Sequence, residues 1–208
     1  SWAGEGLEAE SEPLGNGSNN GAFNNGGFDN GADAGQEGSD DVFVPEEEQE
    51  FRFSRPAVID GKVYVANQTL NAVAVIDSET LGIDTRLVGF EPREIVGPDE
   101  SRTEPAADDA RVAVLNEGSF TVSLLDPQSE DVVTVGVMRQ ANRIEMAPDG
   151  RAALAWYDPA EAKSSDPAGD LSSVTVVKDE SSFDIAVGFH VREVAFDADS
   201  ERALVLTD

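Results

Sequence analysis

The sequence has no cysteine, one histidine (His190) and only three lysines (Lys62, Lys163, Lys178). Without cysteine there are no disulfides, no zinc–thiolate sites and no cysteine nucleophile. A single histidine cannot build a transition-metal site of the usual composition, and no catalytic triad is assembled around it. Long apolar runs are missing too, and none approaches the roughly 20 residues needed to cross a bilayer as a helix. Also absent are a GxSxG elbow, a GxxxxGK[ST] phosphate loop, HExxH and CxxC. The sequence therefore offers no candidate catalytic residue, no metal ligand set and no cofactor.

Positive charge is scarce. Against 42 acidic residues stand 14 basic ones, eleven of them arginine, for a net charge of −28 over 208 residues. Nucleic-acid binding draws on lysine and arginine displacing counterions from phosphates, so the expectation is no nucleic acid. Docking to an anionic membrane surface is disfavoured for the same reason. High acidity with little lysine fits either a saline habitat or a genome whose codons favour arginine.

The acidity is unevenly built. Residues 1–50 hold thirteen acidic side chains and no basic one, which leaves −15 for residues 51–208. Within the first part, GNGSNNGAFNNGGFDNGADAGQEG (15–38) carries two aromatics, Phe23 and Phe28. Ordering a backbone costs on the order of 1–2 kcal/mol per residue, and this stretch has too little apolar surface to offset that. Residues 1–50 are expected to be a disordered acidic Gly/Asn-rich tether. Such a tether suits an extracytoplasmic lipoprotein held off a membrane, with membrane contact only through a lipid anchor upstream. The acceptor patterns Asn16-Gly-Ser18 and Asn67-Gln-Thr69 are frequent by chance and carry no weight.

From residue 51 onward short alternating segments recur every 49 residues or so, a strand signal in a repeat protein. Lys62–Asn67 (KVYVAN) is matched by Arg111–Asn116 (RVAVLN), Arg151–Trp156 (RAALAW) and Arg202–Thr207 (RALVLT). Val73–Asp77 is followed by Val122–Asp126 and Val174–Lys178, and VGFEPREI (88–95) returns as VGFHVREV (187–194). Asp60-Gly61 and Asp149-Gly150 sit between such runs as tight hairpin turns require. No stretch has sustained helical periodicity. The domain at 51–208 is thus all-β, with about four strands per unit.

Val63-Tyr-Val-Ala-Asn67, Asn71–Asp77, Val88-Gly89, Pro92 and Pro98-Asp99 resemble the YVTN β-propeller repeat of bacterial and archaeal surface propellers, in the lactonase-like superfamily. The likeness spans 57–208 and is clearest in the first unit; later units depart from it, Asn67 giving way to Asn116 and then to Tyr157. It implies blades of four antiparallel strands. The innermost strands would lie at 53–59, 93–97, 142–147 and 192–197, and the second at 62–67, 111–116, 151–156 and 202–207. The third would lie at 72–77, 121–126 and 172–178, and the outermost at 84–88, 132–136 and 183–187. About three and a half blades are expected, the N-terminal part of a six- to eight-bladed ring whose remainder lies in the same chain or is supplied by association of copies.

The repeat alignment places Arg93, Asn142 and Arg192 at one inner-strand position and Glu94, Arg143 and Glu193 at the next, an arrangement suited to ion pairs between blades. The same residues with His190 at the channel mouth (Arg93, Asn142, Arg143, His190, Arg192) form the candidate ligand-binding set. The long loop Asp158–Asp170 shares their face and is a candidate specificity insertion. Asp197, Asp199 and Glu201 alternate but lack the pattern of a calcium loop. The function expected is a ligand- or protein-binding scaffold for a protein or carbohydrate partner; the alternative is a lactonase-like hydrolase with its site at the channel.

Overall fold

The computed structural model describes residues 50–99, 108–163 and 168–208. The tether expected at 1–50 lies outside these, apart from Glu50. All described strands belong to one unit, Glu46–Asp208.

Fourteen strands and no helix occur among the described residues. The first sheet is β1 (Ala57–Ile59), β2 (Lys62–Asn67), β3 (Ala72–Asp77) and β4 (Ile83–Leu87), in that spatial order. The second is β5 (Pro92–Val96), β6 (Val112–Asn116), β7 (Thr121–Leu125) and β8 (Val132–Gly136). The third is β9 (Arg143–Met146), β10 (Ala152–Trp156), β11 (Ser173–Lys178) and β12 (Ser181–Ala186). A two-stranded sheet of β13 (Val191–Phe196) and β14 (Ala203–Thr207) follows. Each sheet is an antiparallel meander, so these are three and a half propeller blades, hereafter blades 1 to 4, on the strand positions expected from the repeat.

Turns explain the hairpins. Asp60 and Gly61 both have positive φ (50° and 68°), the conformation whose twist matches a two-residue β-hairpin. Asp179 and Glu180 do the same between β11 and β12 (50° and 58°), without glycine. Asp77 and Asp126 close the third-to-fourth-strand turns of blades 1 and 2 by accepting backbone N–H groups two and three residues on. The acidic turn near Asp197 is closed likewise, Asp197 Oδ1 accepting from Arg202 N at 3.1 Å.

The core lies between blades. Tyr64, Ala66, Val73 and Val75 of blade 1 pack on Ile95, Val112, Val114 and Leu125 of blade 2. Ala113, Leu115, Val122 and Leu124 of blade 2 pack on Ile144, Met146, Ala153, Ala155 and Val177 of blade 3. Leu154, Trp156 and Val174 of blade 3 pack on Val191, Val194 and Val205 of blade 4. Alternation along each strand therefore splits its side chains between the preceding and the following blade.

Blade 3 departs by one residue from the strand match, though not from the Asn67–Asn116–Tyr157 series. Matching Arg151–Trp156 to Arg111–Asn116 puts Ala153 and Ala155 level with Ala113 and Leu115, which face the following blade. In the structure Ala153 and Ala155 face blade 2, and Leu154 and Trp156 face blade 4. Leu154 thus replaces Ala113, Trp156 replaces Leu115 and Tyr157 replaces Asn116. The pairing agrees: Leu115, Trp156 and Leu206 lie opposite Glu94, Arg143 and Glu193.

Candidate functional site

Where the chain enters an inner strand, blades 2 and 4 carry a β-bulge, between Pro92 and Glu94 and between Val191 and Glu193. Such an extra residue is free of the ladder and its side chain is re-aimed. The extra residues are Arg93 and Arg192. Each turns onto the acidic residue just past the second strand of its own blade. Arg93 Nη1 donates to Glu117 Oε1 at 2.8 Å, and Arg192 Nε donates to Asp208 Oδ1 at 2.5 Å. Among the described residues blade 3 has no ion pair at this position. Asn142 Nδ2 donates to the Asp158 carbonyl at 2.8 Å, and Asn142 Oδ1 accepts from Asp158 N at 2.7 Å. One clasp, in two chemistries, ties inner strand to second strand in three successive blades.

The guanidinium of Arg93 also reaches the inserted loop after β10. Its Nη2 donates to the Glu161 carbonyl at 3.0 Å and lies 3.4 Å from Glu161 Oε2. Lys163 approaches Glu117 from the same loop, 3.3 Å away. Glu161 and Lys163 of the insertion singled out in the sequence are therefore tied to blade 2 by salt links.

Beside Arg93 lies a cleft of about 520 Å³ lined by Arg55, Pro56, Glu94, Ile95, Asn142, Arg143 and Glu161 as well. Arg143 lies over the Trp156 ring, 5.9 Å from its centroid, and 4.0 Å from Glu161 Oε1. A cation over an indole face is held there by the ring quadrupole. Glu94 is more deeply set. Its Oε2 accepts from the backbone N–H of Ile144 at 3.3 Å, so a side chain of blade 2 satisfies the inner strand of blade 3. Burial pushes the Glu94 carboxyl above the usual carboxylate range, and the nearby Arg143 charge offsets part of that rise. Glu145 is raised as well, first by burial and then by repulsion from Glu94.

Of the five residues expected at the channel mouth, Arg93, Asn142 and Arg143 meet in this cleft. His190 and Arg192 are not among its lining residues; both hold Asp208, with His190 Nδ1 3.1 Å from Asp208 Oδ2. Asn142 is spent on its clasp, which leaves arginine and glutamate as the polar chemistry of the cleft. The expected alternation of ion pairs through Glu94, Arg143 and Glu193 takes another form. Arg143 finds its ion partner in Glu161, and the Glu94 carboxylate is taken by a backbone N–H. Sequence reasoning missed Arg55 and Glu161 as lining residues. Glu161 lay inside the flagged insertion, whereas Arg55 precedes a proline in a stretch with little strand alternation.

A hydroxyl repeats the inter-blade theme on the third strands. Ser123 Oγ accepts from Gly89 N at 3.3 Å, and Thr175 Oγ1 accepts from Met138 N at 3.0 Å. In each case the loop leaving one blade's outermost strand is bonded to the next blade. Two outer-to-inner loops are fixed in this way.

Comparison with known proteins finds no matching protein-family profile and no matching curated protein. Solved structures do resemble the chain. Hydrazine synthase of Kuenenia stuttgartiensis aligns with a TM-score of 0.52 at 17% identity, over 75% of this chain and 41% of its own. A 6-phosphogluconolactonase candidate from Bacteroides fragilis aligns with a TM-score of 0.50 at 14% identity, over 78% of this chain and 49% of its own. The tricorn protease gives 0.53 at 17% identity, over 76% and 15%. The chain spans less than half the length of each. At such identities the likeness concerns fold alone, and that fold is β-propeller-like.

Proposed function

We propose that these blades belong to a YVTN-type β-propeller that works outside the cytoplasm as a surface-tethered binding module, and that the cleft beside Arg93 takes a carbohydrate. The observation carrying this reading is the lining itself. Arg55, Arg93 and Arg143 supply N–H donors, Glu94 and Glu161 supply acceptor oxygens, and Pro56 and Ile95 give an apolar floor. Paired donors and acceptors suit vicinal hydroxyls, and an apolar floor suits the C–H face of a sugar ring. Salt links and the Trp156 stack already hold two of the three guanidiniums, so little side-chain entropy is lost on binding. The acidic Gly/Asn-rich segment at 15–38 supports placement on a tether at the cell surface.

Calorimetric titration of the chain with a panel of neutral and acidic oligosaccharides tests the site. Binding should appear for at least one sugar and weaken tenfold or more in Arg143→Ala. Affinity unchanged by Arg143→Ala and Arg55→Ala together would remove the cleft as the site. Protease accessibility on intact cells tests the location, and protection from protease would refute it.

A second reading is hydrolysis of a sugar lactone in the same cleft. It is favoured by the raised Glu94 carboxyl, a group better placed than an ordinary carboxylate to exchange a proton near neutrality. The structural likeness to a 6-phosphogluconolactonase candidate adds only its fold. Ring opening of 6-phosphogluconolactone above the spontaneous rate, lost in Glu94→Gln, would favour this reading over simple binding.

A further inference from the structure

Two seams built on one plan are filled differently. In the seam between blades 1 and 2, Tyr64 and Val75, paired across β2 and β3, meet Val112 and Leu125, paired across β6 and β7. One blade on, the same four places hold Ala113 and Leu124 against Ala153 and Val177. Tyrosine has become alanine, valine alanine and leucine valine, and only Val75 gives way to a larger side chain. On the fourth strands the buried Arg86 is replaced by Val135. Met146, where blade 2 has Gly97, takes back only part of the space. Protein interiors leave few voids larger than a water molecule, yet here a pit of about 280 Å³ remains, floored by Leu124, Met146, Ala153 and Val177. It lies at the Met146 end of β9, whereas the cleft lies at the Arg143 end.

Tyr64 says what such a space takes. Its ring is wholly buried; burial raises the pKa of its hydroxyl, and the charges of Arg86, Asp60 and Asp126 reach it. The second seam keeps the polar rim and lacks the ring. Asp109 precedes Arg111 as Asp60 precedes Lys62, and it lies on the rim of the pit. Arg111 spans the mouth, 2.7 Å from Asp126 of its own blade and 3.7 Å from Glu180 of blade 3. Aliphatic groups below and a guanidinium beside carboxylates above match a flat ring that ends in one hydroxyl, a group able both to accept and to donate a hydrogen bond.

We propose that the pit between blades 2 and 3 binds a small phenol, its ring on Leu124, Met146, Ala153 and Val177 and its hydroxyl between Arg111 and the carboxylates of Asp109 and Glu180. The guest takes the place that Tyr64 fills from within the chain one seam earlier. Apolar cavities of this kind accept aromatic guests because water finds few partners on their walls. The site is distinct from the cleft beside Arg93 and stands whether or not that cleft takes a sugar. A free phenol and the tyrosine side chain of a peptide carry the same chemistry.

Calorimetric titration of the full chain with p-cresol and with N-acetyltyrosinamide tests this. Saturable binding of p-cresol is expected with a dissociation constant of about 1 mM or tighter, and p-cresol should raise the melting temperature. Binding of p-cresol alone assigns the pit to a free phenol, and binding of both compounds assigns it to a tyrosine side chain. Ala113→Tyr supplies the ring from the chain itself and should abolish binding. Should that variant fail to fold, Ala153→Val/Val177→Leu decides, since it restores the side chains of the first seam at two of the four places. It should weaken p-cresol binding by about fivefold or more without lowering the melting temperature. No saturable binding of p-cresol up to about 10 mM would overturn the proposal, and so would an affinity that Ala153→Val/Val177→Leu leaves unchanged.

Discussion

Arg93 and Glu117 stand 2.8 Å apart in blade 2, and Arg192 and Asp208 reproduce the same pair at 2.5 Å two repeats later. In both, a bulge frees an arginine from the inner strand and an acid just beyond the second strand receives it. Arg93 is the better shielded of the two, with its side chain 21% exposed and that of Glu117 14%. It also bonds Glu161 with its other terminal nitrogen.

Arg93→Ala should therefore destabilise the fold by about 1–2 kcal/mol, since Glu117 keeps Lys163 as a counterion but loses its shorter bond. Urea denaturation measures this. Arg93→Lys should recover only part, because an ammonium cannot serve Glu117 and Glu161 with the same planar fork.

The blade 2–blade 3 seam is the place to test the core. Leu115 is fully buried among Val122, Ile144 and Ala155. Leu115→Ala removes those contacts and leaves a cavity, so a loss of roughly 2–5 kcal/mol is expected. A loss under about 1 kcal/mol in the urea midpoint analysis would mean that the seam is not packed as described.

Stability should respond to pH through Glu94. A carboxyl raised by burial disfavours its charged form, so its contribution to folding is whole below the unfolded pKa and is lost as pH rises through the folded value. Glu94→Gln keeps an acceptor for the Ile144 N–H without the buried charge. The variant should gain on the natural chain toward neutrality and lose that gain as pH falls to about 4, near the unfolded carboxyl value. Asp126 acts oppositely. Its carboxyl is held low first by the Gln128 N–H, so its contribution is present above the unfolded pKa and lost as pH falls. Urea midpoints between about pH 2 and pH 8 separate the two.

Gly150 should resist substitution. Its φ is +78°, and an added Cβ would lie 2.7 Å from Pro98 Cγ and 2.8 Å from Ala110 Cβ. Gly150→Ala should cost about 1–2 kcal/mol for the left-handed backbone alone, with the contacts adding to it. Thermal melting of the variant reads this directly.

The strands were legible because alternation over five or six residues is a strong signal, and it recurs with turn residues between. The one-residue offset in blade 3 was legible only in part, in Tyr157 at the place of Asn116. In Ala152-Ala-Leu-Ala-Trp156 small alanines sit on either face without penalty, and the match to arginine at the start of the run outweighed the bulk of Trp156. The Asp179-Glu180 hairpin carried no signal because acidic side chains there hold positive φ that glycine or asparagine usually announces. Half of the cleft was visible through repeat alignment, in Arg93, Glu94, Asn142 and Arg143. Arg55 was hidden because its strand is short, and Glu161 because a loop's residues have no repeat position to be read from. Arg192 stands with the rest by its repeat position and His190 by its place at the channel mouth, and in the structure both hold Asp208.

Because the core is divided among seams, each sheet's cohesion is borrowed from its neighbours. Blade 2 is clamped on both sides, by Tyr64 and Val73 from one direction and by Ile144 and Met146 from the other. Local opening should then be graded along the chain, cheapest at the hairpin of β13 and β14 and dearest in β6 and β7, whose amides would be the last to exchange with deuterium.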